Sequence, residues 1–166
     1  MESLRELLVE ELSDLYSAEK QLVQALPKIA KAADSENLRQ AIEDHLEETT
    51  HQVSRLDEVF EKLEEKPKRK KCKAMEGLIE EGSEVIKEHA TSPIRDAALI
   101  GAAQRVEHYE MAAYGTARSL AKTLGLEDVA QLLQETLDEE GNADKKLNEL
   151  ALNEINPSAL ETAKSE

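Results

Sequence analysis

Gln104-Arg105-Val106-Glu107-His108-Tyr109-Glu110-Met111-Ala112-Ala113-Tyr114-Gly115 is the run of residues on which the fold turns. At about 3.6 residues per turn, Ile100, Ala103, Glu107, Glu110, Tyr114, Ala117 and Ala121 share one helix face. Five of these suit a bundle interior. Glu107 and Glu110 do not, because an unpaired buried carboxylate neutralises or finds a cation. Two of them one turn apart on an inward face call for a partner.

Reading outward, the rest of the chain repeats this design. A first helix is predicted from Ser3 to Ala33 on the seam Leu8, Leu12, Leu15, Glu19, Leu22, Leu26, Ile29 and Ala33, with Glu19 its only charged member. Pro27 predicts a kink near Val23. Asp34 and Ser35 are capping residues for a second helix, Glu36 to Leu63, whose seam is Leu38, Ile42, Leu46, Thr49, Val53, Leu56, Phe60 and Leu63. Pro67 is expected to end it. A linker from Glu64 to Lys73 follows, with the basic run Lys66, Lys68, Arg69, Lys70, Lys71 and Lys73, then a short helix from Ala74 to His89, weakened by Gly77 and Gly82.

Ser92 and Pro93 read as an N-cap and first helical residue. They launch a third long helix that Gly125 stops after Leu124. The fourth, Leu126 to Asn153, has the seam Leu126, Val129, Leu133, Thr136, Glu140, Ala143, Leu147 and Leu150. Asn156-Pro157 is expected to end it and leave a frayed tail. The expectation is an all-α protein: a four-helix bundle with a long crossover between the second and third helices and one extra short helix.

Composition agrees. The 166 residues fit one domain. With no Trp, one Phe and three Tyr, aliphatic side chains must fill the core, which suits helices. Acidic residues outnumber basic ones 36 to 21, for a charge of −15, which argues against nucleic acid and favours cation handling. Cys72 is the single cysteine, so no internal disulfide forms, as suits a reducing cytoplasm. Residues 1–6 lack a signal-peptide pattern, and no apolar run approaches the length of a membrane span. A cytoplasmic protein with no membrane partner is the expectation.

Each seam is broken by acid near its middle: Glu19, Glu48, Glu107 with Glu110, and Glu140 with Asp144 one turn on. Four helices presenting carboxylates and imidazole at one level is the pattern of a dinuclear site in a bundle. Oxygen ligands with imidazole suit two Fe or Mn ions, which would neutralise the buried acids. The competing reading has these residues facing solvent or pairing with Lys and Arg.

The histidine can be read two ways. The motif Glu48-Thr49-Thr50-His51 names His51, but at roughly 100° per residue His51 lies on the back of the apolar seam. His45, one turn before Glu48, lies close to the seam, and Glu48 sits at its edge. Phase favours His45; a π-bulge at Thr49-Thr50 would favour His51. His108 points off the seam. Tyr16, Tyr109 and Tyr114 all stand near the acids, where a phenol can donate a hydrogen bond to a ligand or carry an electron.

The runs Tyr16-Ser17-Ala18-Glu19-Lys20-Gln21-Leu22, His45-Leu46-Glu47-Glu48-Thr49, Arg95-Asp96-Ala97-Ala98-Leu99-Ile100, Val106-Glu107-His108-Tyr109-Glu110 and Tyr114-Gly115 resemble the YciF-type stress-response proteins, a bacterial branch of the ferritin-like superfamily. The resemblance covers nearly the whole chain. It implies a ferritin-like four-helix bundle with a fifth helix, and a homodimer. Against the superfamily order Glu, Glu-x-x-His, Glu, Glu-x-x-His, the matching residues are Glu19, Glu48, Glu107 and Glu140. The chain departs at Ala143, where His is expected, and Asp144 is the substitute. The expected metal set is therefore Glu19, His45, Glu48, Glu107, Glu110, Glu140 and Asp144. Two functions follow: a dimetal protein of the stress response that handles iron or manganese or reduces peroxide or dioxygen, or a metal-free bundle that assembles with another stress protein. In the second, the basic 66–73 run meets an acidic partner; otherwise it is a solvated linker.

Overall fold

A computed structural model describes residues 3–164. Its long helices are α1 (Leu4–Ala32), α2 (Glu36–Lys62), α4 (Pro93–Thr123) and α5 (Glu127–Leu150), with the shorter α3 (Lys73–Glu88) between α2 and α4. A π turn (Ala151–Ile155) leads from α5 into α6 (Asn156–Lys164). No strand occurs among the described residues.

Ser35 and Ser92 cap their helices as expected, and Ser3 caps the first helix as well. Ser3, Ser35 and Ser92 accept from the backbone N–H three residues on, and Pro93 opens α4. α1 runs unbroken through Pro27. α4 ends on Gly125 at φ 74°, with Leu126 N–H bonded to Ala121 O and Gly125 N–H to Lys122 O, the paired bonds of a Schellman stop. α2 ends in the same way: Glu65 N–H reaches Phe60 O and Glu64 N–H reaches Glu61 O, with Glu64 at φ 54°. Pro67 therefore does not end α2. A left-handed glutamate, three residues earlier, does.

α1 and α2 pack as one antiparallel pair and α4 and α5 as another; α1 also packs on α4, and α2 on α5. The crossover through α3 carries the chain back to the end where α2 began, so α2 and α4 run parallel. α3 lies on the outside of α1 and α4. A stripe on α1 fastens the crossover: Ser13 Oγ accepts from Lys68 N–H, Ser17 Oγ from Cys72 N–H, and Gln21 Nε2 donates to Cys72 O. Three side chains at i, i+4 and i+8 thus pin an otherwise irregular strap.

Three of the six residues in the basic run pair with acids of the same chain. Lys68 pairs with Glu10, Lys70 lies 3.4 Å from Glu10 and 3.8 Å from Asp14, and Lys71 pairs with Glu76. At the opposite end of α1, Asp96 accepts from Asp34 N–H (2.9 Å) and Ser35 N–H (2.7 Å), while Arg95 donates to Ala32 O. This dipeptide of α4 closes the α1–α2 turn.

The expected frayed tail is corrected. The chain passes Asn156-Pro157 as helix, because the wider π turn absorbs the register change before the proline. Ile155 is buried, and Glu154 accepts from Ser35 Oγ at 2.6 Å and Asn37 Nδ2 at 2.7 Å, tying this segment to the start of α2.

Two apolar clusters make the core. One holds Leu22, Leu26, Ile42, Leu99 and Leu147 near the α1–α2 turn; the other holds Leu8, Leu12, Leu56, Phe60 and Leu133 at the opposite end. Each fully buried Leu or Phe contributes about 1.5–3 kcal/mol. Between the clusters lies a polar layer.

Candidate metal centre

The layer is built from Glu19 of α1, His45, Thr49 and Gln52 of α2, Glu107 and Glu110 of α4, and Thr136 and Glu140 of α5, all buried. Each sits where its helix seam passes mid-length, so the helical period that builds the core also aims the acids inward. On α2 the buried line is His45, Thr49, Gln52, Leu56 and Val59. Six of the eight expected seam residues are buried; Leu46 and Val53 are only half-buried, and the neighbouring His45 and Gln52 face inward in their place. His45 is therefore inside, and His51 is exposed. No π turn interrupts α2; among the described residues one occurs, at 151–155.

His45, Glu107, Glu110 and Glu140 each offer a ligand atom, all within 4.8 Å of one another. Nε2 of His45 is 3.2 Å from Glu107 Oε1 and 4.0 Å from Glu140 Oε2. Glu19 is wholly buried beside them, and its Oε1 accepts from the Tyr114 hydroxyl, also wholly buried. Glu48 takes a different place. Its Oε2 is 3.7 Å from Nδ1 of His45, on the far side of the ring, and its side chain is 39% exposed. Asp144 is not brought into the group. It faces His108 Nε2 at 3.2 Å and accepts from Gln104 Nε2 at 3.3 Å.

Sequence reading missed the supports of this layer. Arg55 grips Glu139 through two bonds of 2.9 and 2.8 Å and donates to Thr136 at 2.7 Å, while Gln52 donates to Glu139 at 3.0 Å. Burial pushes the Glu139 carboxyl up, but Arg55 and Gln52 outweigh it and hold the group below its usual range. The signal was the Gln52–Arg55 pair on one face of α2 opposite an acid-rich stretch of α5.

Inside the layer the electrostatics run the other way. Burial pushes the Glu19 carboxyl up to about 8, with Glu140 adding repulsion. Burial also raises Glu107 and Glu110, again reinforced by Glu140 and Glu19. For His45, burial opposes the charged ring, but Glu48, Glu140 and Glu19 outweigh it and lift its pKa. The surrounding protein supplies little cationic relief, and few hydrogen bonds. Among the described residues, twelve buried side-chain nitrogen and oxygen atoms lack a hydrogen-bond partner, and eight of them belong to Glu19, His45, Glu107, Glu110 and Glu140. An unsatisfied buried group costs about 1–3 kcal/mol, more when charged, and native folds rarely gather several together. Hard carboxylate oxygens and one imidazole, unpartnered and facing each other, fit a divalent cation.

A helical bundle with a long crossover and a mid-height layer of carboxylates and imidazole is a ferritin-like protein. Within that class the chain belongs to the family described as a domain of unknown function, DUF892, which it matches over residues 3–160. It is similar to Protein YciF of Escherichia coli K12, at 52% identity over 160 residues and 96% of each chain. The crystal structure of the E. coli stress protein YciF superposes with a TM-score of 0.91 at 53% identity, covering 94% of this chain and 99% of that one. YcfI of Rhodopseudomonas palustris superposes at 0.86 with 44% identity, covering 89% and 94%. A protein of Xanthomonas campestris pv. campestris, 23% identical, shares the fold at 0.77, covering 98% and 99%. No helix among the described residues is long and apolar enough to cross a membrane.

Proposed function

We propose that the protein is a carboxylate-bridged dimetal protein of the bacterial stress response, binding iron or manganese at the mid-bundle layer. The observation that carries this reading is the concentration of unpartnered buried ligand atoms on His45, Glu107, Glu110 and Glu140, with Glu19 beside them. The stress context comes from the similarity to YciF. Glu107, Glu110 and Glu140 would hold the ions together with Nε2 of His45, and the buried Glu19 would complete a second position. Bound iron or manganese would supply one-electron redox chemistry toward peroxide or dioxygen.

The protein's own residues prepare that site. Glu48 lies 3.7 Å from Nδ1 of His45, where its charge favours a proton on that nitrogen and leaves Nε2 turned to the acids. Tyr114 anchors Glu19 by its hydroxyl and leaves the second carboxylate oxygen without a protein donor. The apolar clusters on either side exclude bulk water from the layer.

The test is elemental analysis of protein produced with iron or manganese supplement. About two ions per chain are expected, and Glu107→Ala combined with Glu140→Ala should remove them. Full occupancy in that double variant would show that other groups hold the metal.

A further inference from the structure

The apolar half of the core nearest the α1–α2 turn is not filled. A cavity of about 50 Å³ lies within it, walled by Leu22, Leu26, Ile42, Leu99, Val106 and Leu147. His45 and Glu107 stand in the same lining, so the cavity abuts the Nε2–carboxylate edge of the polar layer. Exposed Asp44 and Lys146 also belong to it and mark a way out between α2 and α5. Gly82 of α3 forms part of the wall. A methyl there would meet only Ala102 Cβ, at 4.0 Å, so the chain leaves open a space that a side chain could occupy.

Interiors leave few voids larger than one water, and a void costs about 24 cal/mol per Å³. This one is roomy enough for a few small molecules; the polar side chains of its lining are Asp44, Glu48 and Lys146 toward the outside and His45 and Glu107 at the layer, and the walls between are apolar. A water needs two to four polar partners to stay. Hydrogen peroxide entering such a space would leave donors and acceptors unpaired at about 1–3 kcal/mol each. Dioxygen has none to lose and gains dispersion contacts with the walls. We propose that this cavity binds dioxygen and is its path to the His45–Glu107 edge of the layer. The destination rests on the metal-site reading above; the occupancy of the cavity does not.

The experiment is methyl NMR of the full-length, metal-free protein under dissolved dioxygen, whose paramagnetism speeds relaxation of nearby methyls. Methyls of Leu22 and Leu99, which line the cavity, should relax roughly fivefold faster than those of Leu8, Leu12 and Leu133, which are equally buried in the other half of the core. Ala103→Leu should reduce them to the level of that half. Gly82→Val makes the same test from α3 if the α4 variant fails to fold. Equal relaxation in both halves, or an unchanged effect in the filled variants, would overturn the proposal. Metal analysis of the wild type is scored separately: a metal-free result would sink the dimetal reading while leaving the dioxygen result standing.

Discussion

Nε2 of His45 stands 3.2 Å from Oε1 of Glu107, an imidazole from α2 meeting a carboxylate from α4 across the bundle axis. The contact joins the two parallel helices that the crossover separates in sequence. On the other side of the ring, Nδ1 faces Glu48 at 3.7 Å. One histidine thus has both ring nitrogens buried, one facing the ligand carboxylates and the other facing a half-exposed acid.

This geometry separates the two candidate histidines. His45→Ala should lower metal occupancy at least tenfold, and His51→Ala should leave it unchanged, since an exposed ring on the back of α2 cannot reach the layer. Glu48→Gln should weaken binding by about 10–100-fold without changing the stoichiometry, as loss of an orienting partner does. Metal titration of the three variants is the measurement. Lost stoichiometry in the His51 variant would mean that α2 turns in the loaded protein.

Glu110 buries two carboxylate oxygens with no protein donor. The metal-free protein should therefore gain about 1–3 kcal/mol from Glu110→Met, which keeps the volume and removes the polar cost. The same change should reduce metal binding. Urea unfolding of both proteins with and without metal reads the two effects. A less stable metal-free variant would indicate that Glu110 is well satisfied in solution.

The folded chain holds the Glu19 carboxyl at about 8 against an ordinary 4.5. Between those values the folded form keeps a proton that the unfolded form has released. Stability of the metal-free protein therefore falls as pH rises through this window. Glu107 and Glu110, also raised, act in the same sense. A drop in Tm of roughly 5–10 °C from about pH 5 to about pH 8 is expected. Saturating manganese should reverse the trend, because binding expels those protons and strengthens with pH. Calorimetry of Glu19→Gln should show a shallower slope; an identical slope would place the effect in surface charge.

The fold was legible because the four heptad seams repeat one message over long helices, and the caps Ser35, Ser92 and Gly125 stand at their ends. Burial of Glu19, Glu107, Glu110 and Glu140 could be read from the same periodicity. What escaped was set by contacts distant in sequence. The α2 seam holds at six of its eight positions and misses at Leu46 and Val53, which look more apolar than His45 and Gln52, yet the layer needed polar groups there. The tail reads as frayed until Glu154 meets Ser35 and Asn37, 119 and 117 residues away. The position of Asp144 was unreadable for a similar reason: nothing local indicates that His108 and Gln104 face it.

The end of α2 gives a prediction independent of metal. Glu64 occupies the left-handed position of a Schellman stop at φ 54°, the conformation that Gly125 adopts at the end of α4. A residue with a Cβ pays about 1 kcal/mol or more for that conformation, which glycine does not. Glycine in turn gives the unfolded chain more freedom, which takes back part of the gain. Removing one negative charge next to the last carbonyls of α2 also relieves an unfavourable dipole contact. Glu64→Gly should therefore stabilise the protein by about 0.5–1 kcal/mol, whereas Gly125→Ala at the matching turn should destabilise it by about 1 kcal/mol. Chemical denaturation of both variants against wild type makes the comparison, and metal stoichiometry should be unaffected because the two stops lie beyond the apolar cluster that separates them from the layer. Loss of stability in Glu64→Gly would show that the Glu64 side chain, not the backbone turn, holds the end of α2.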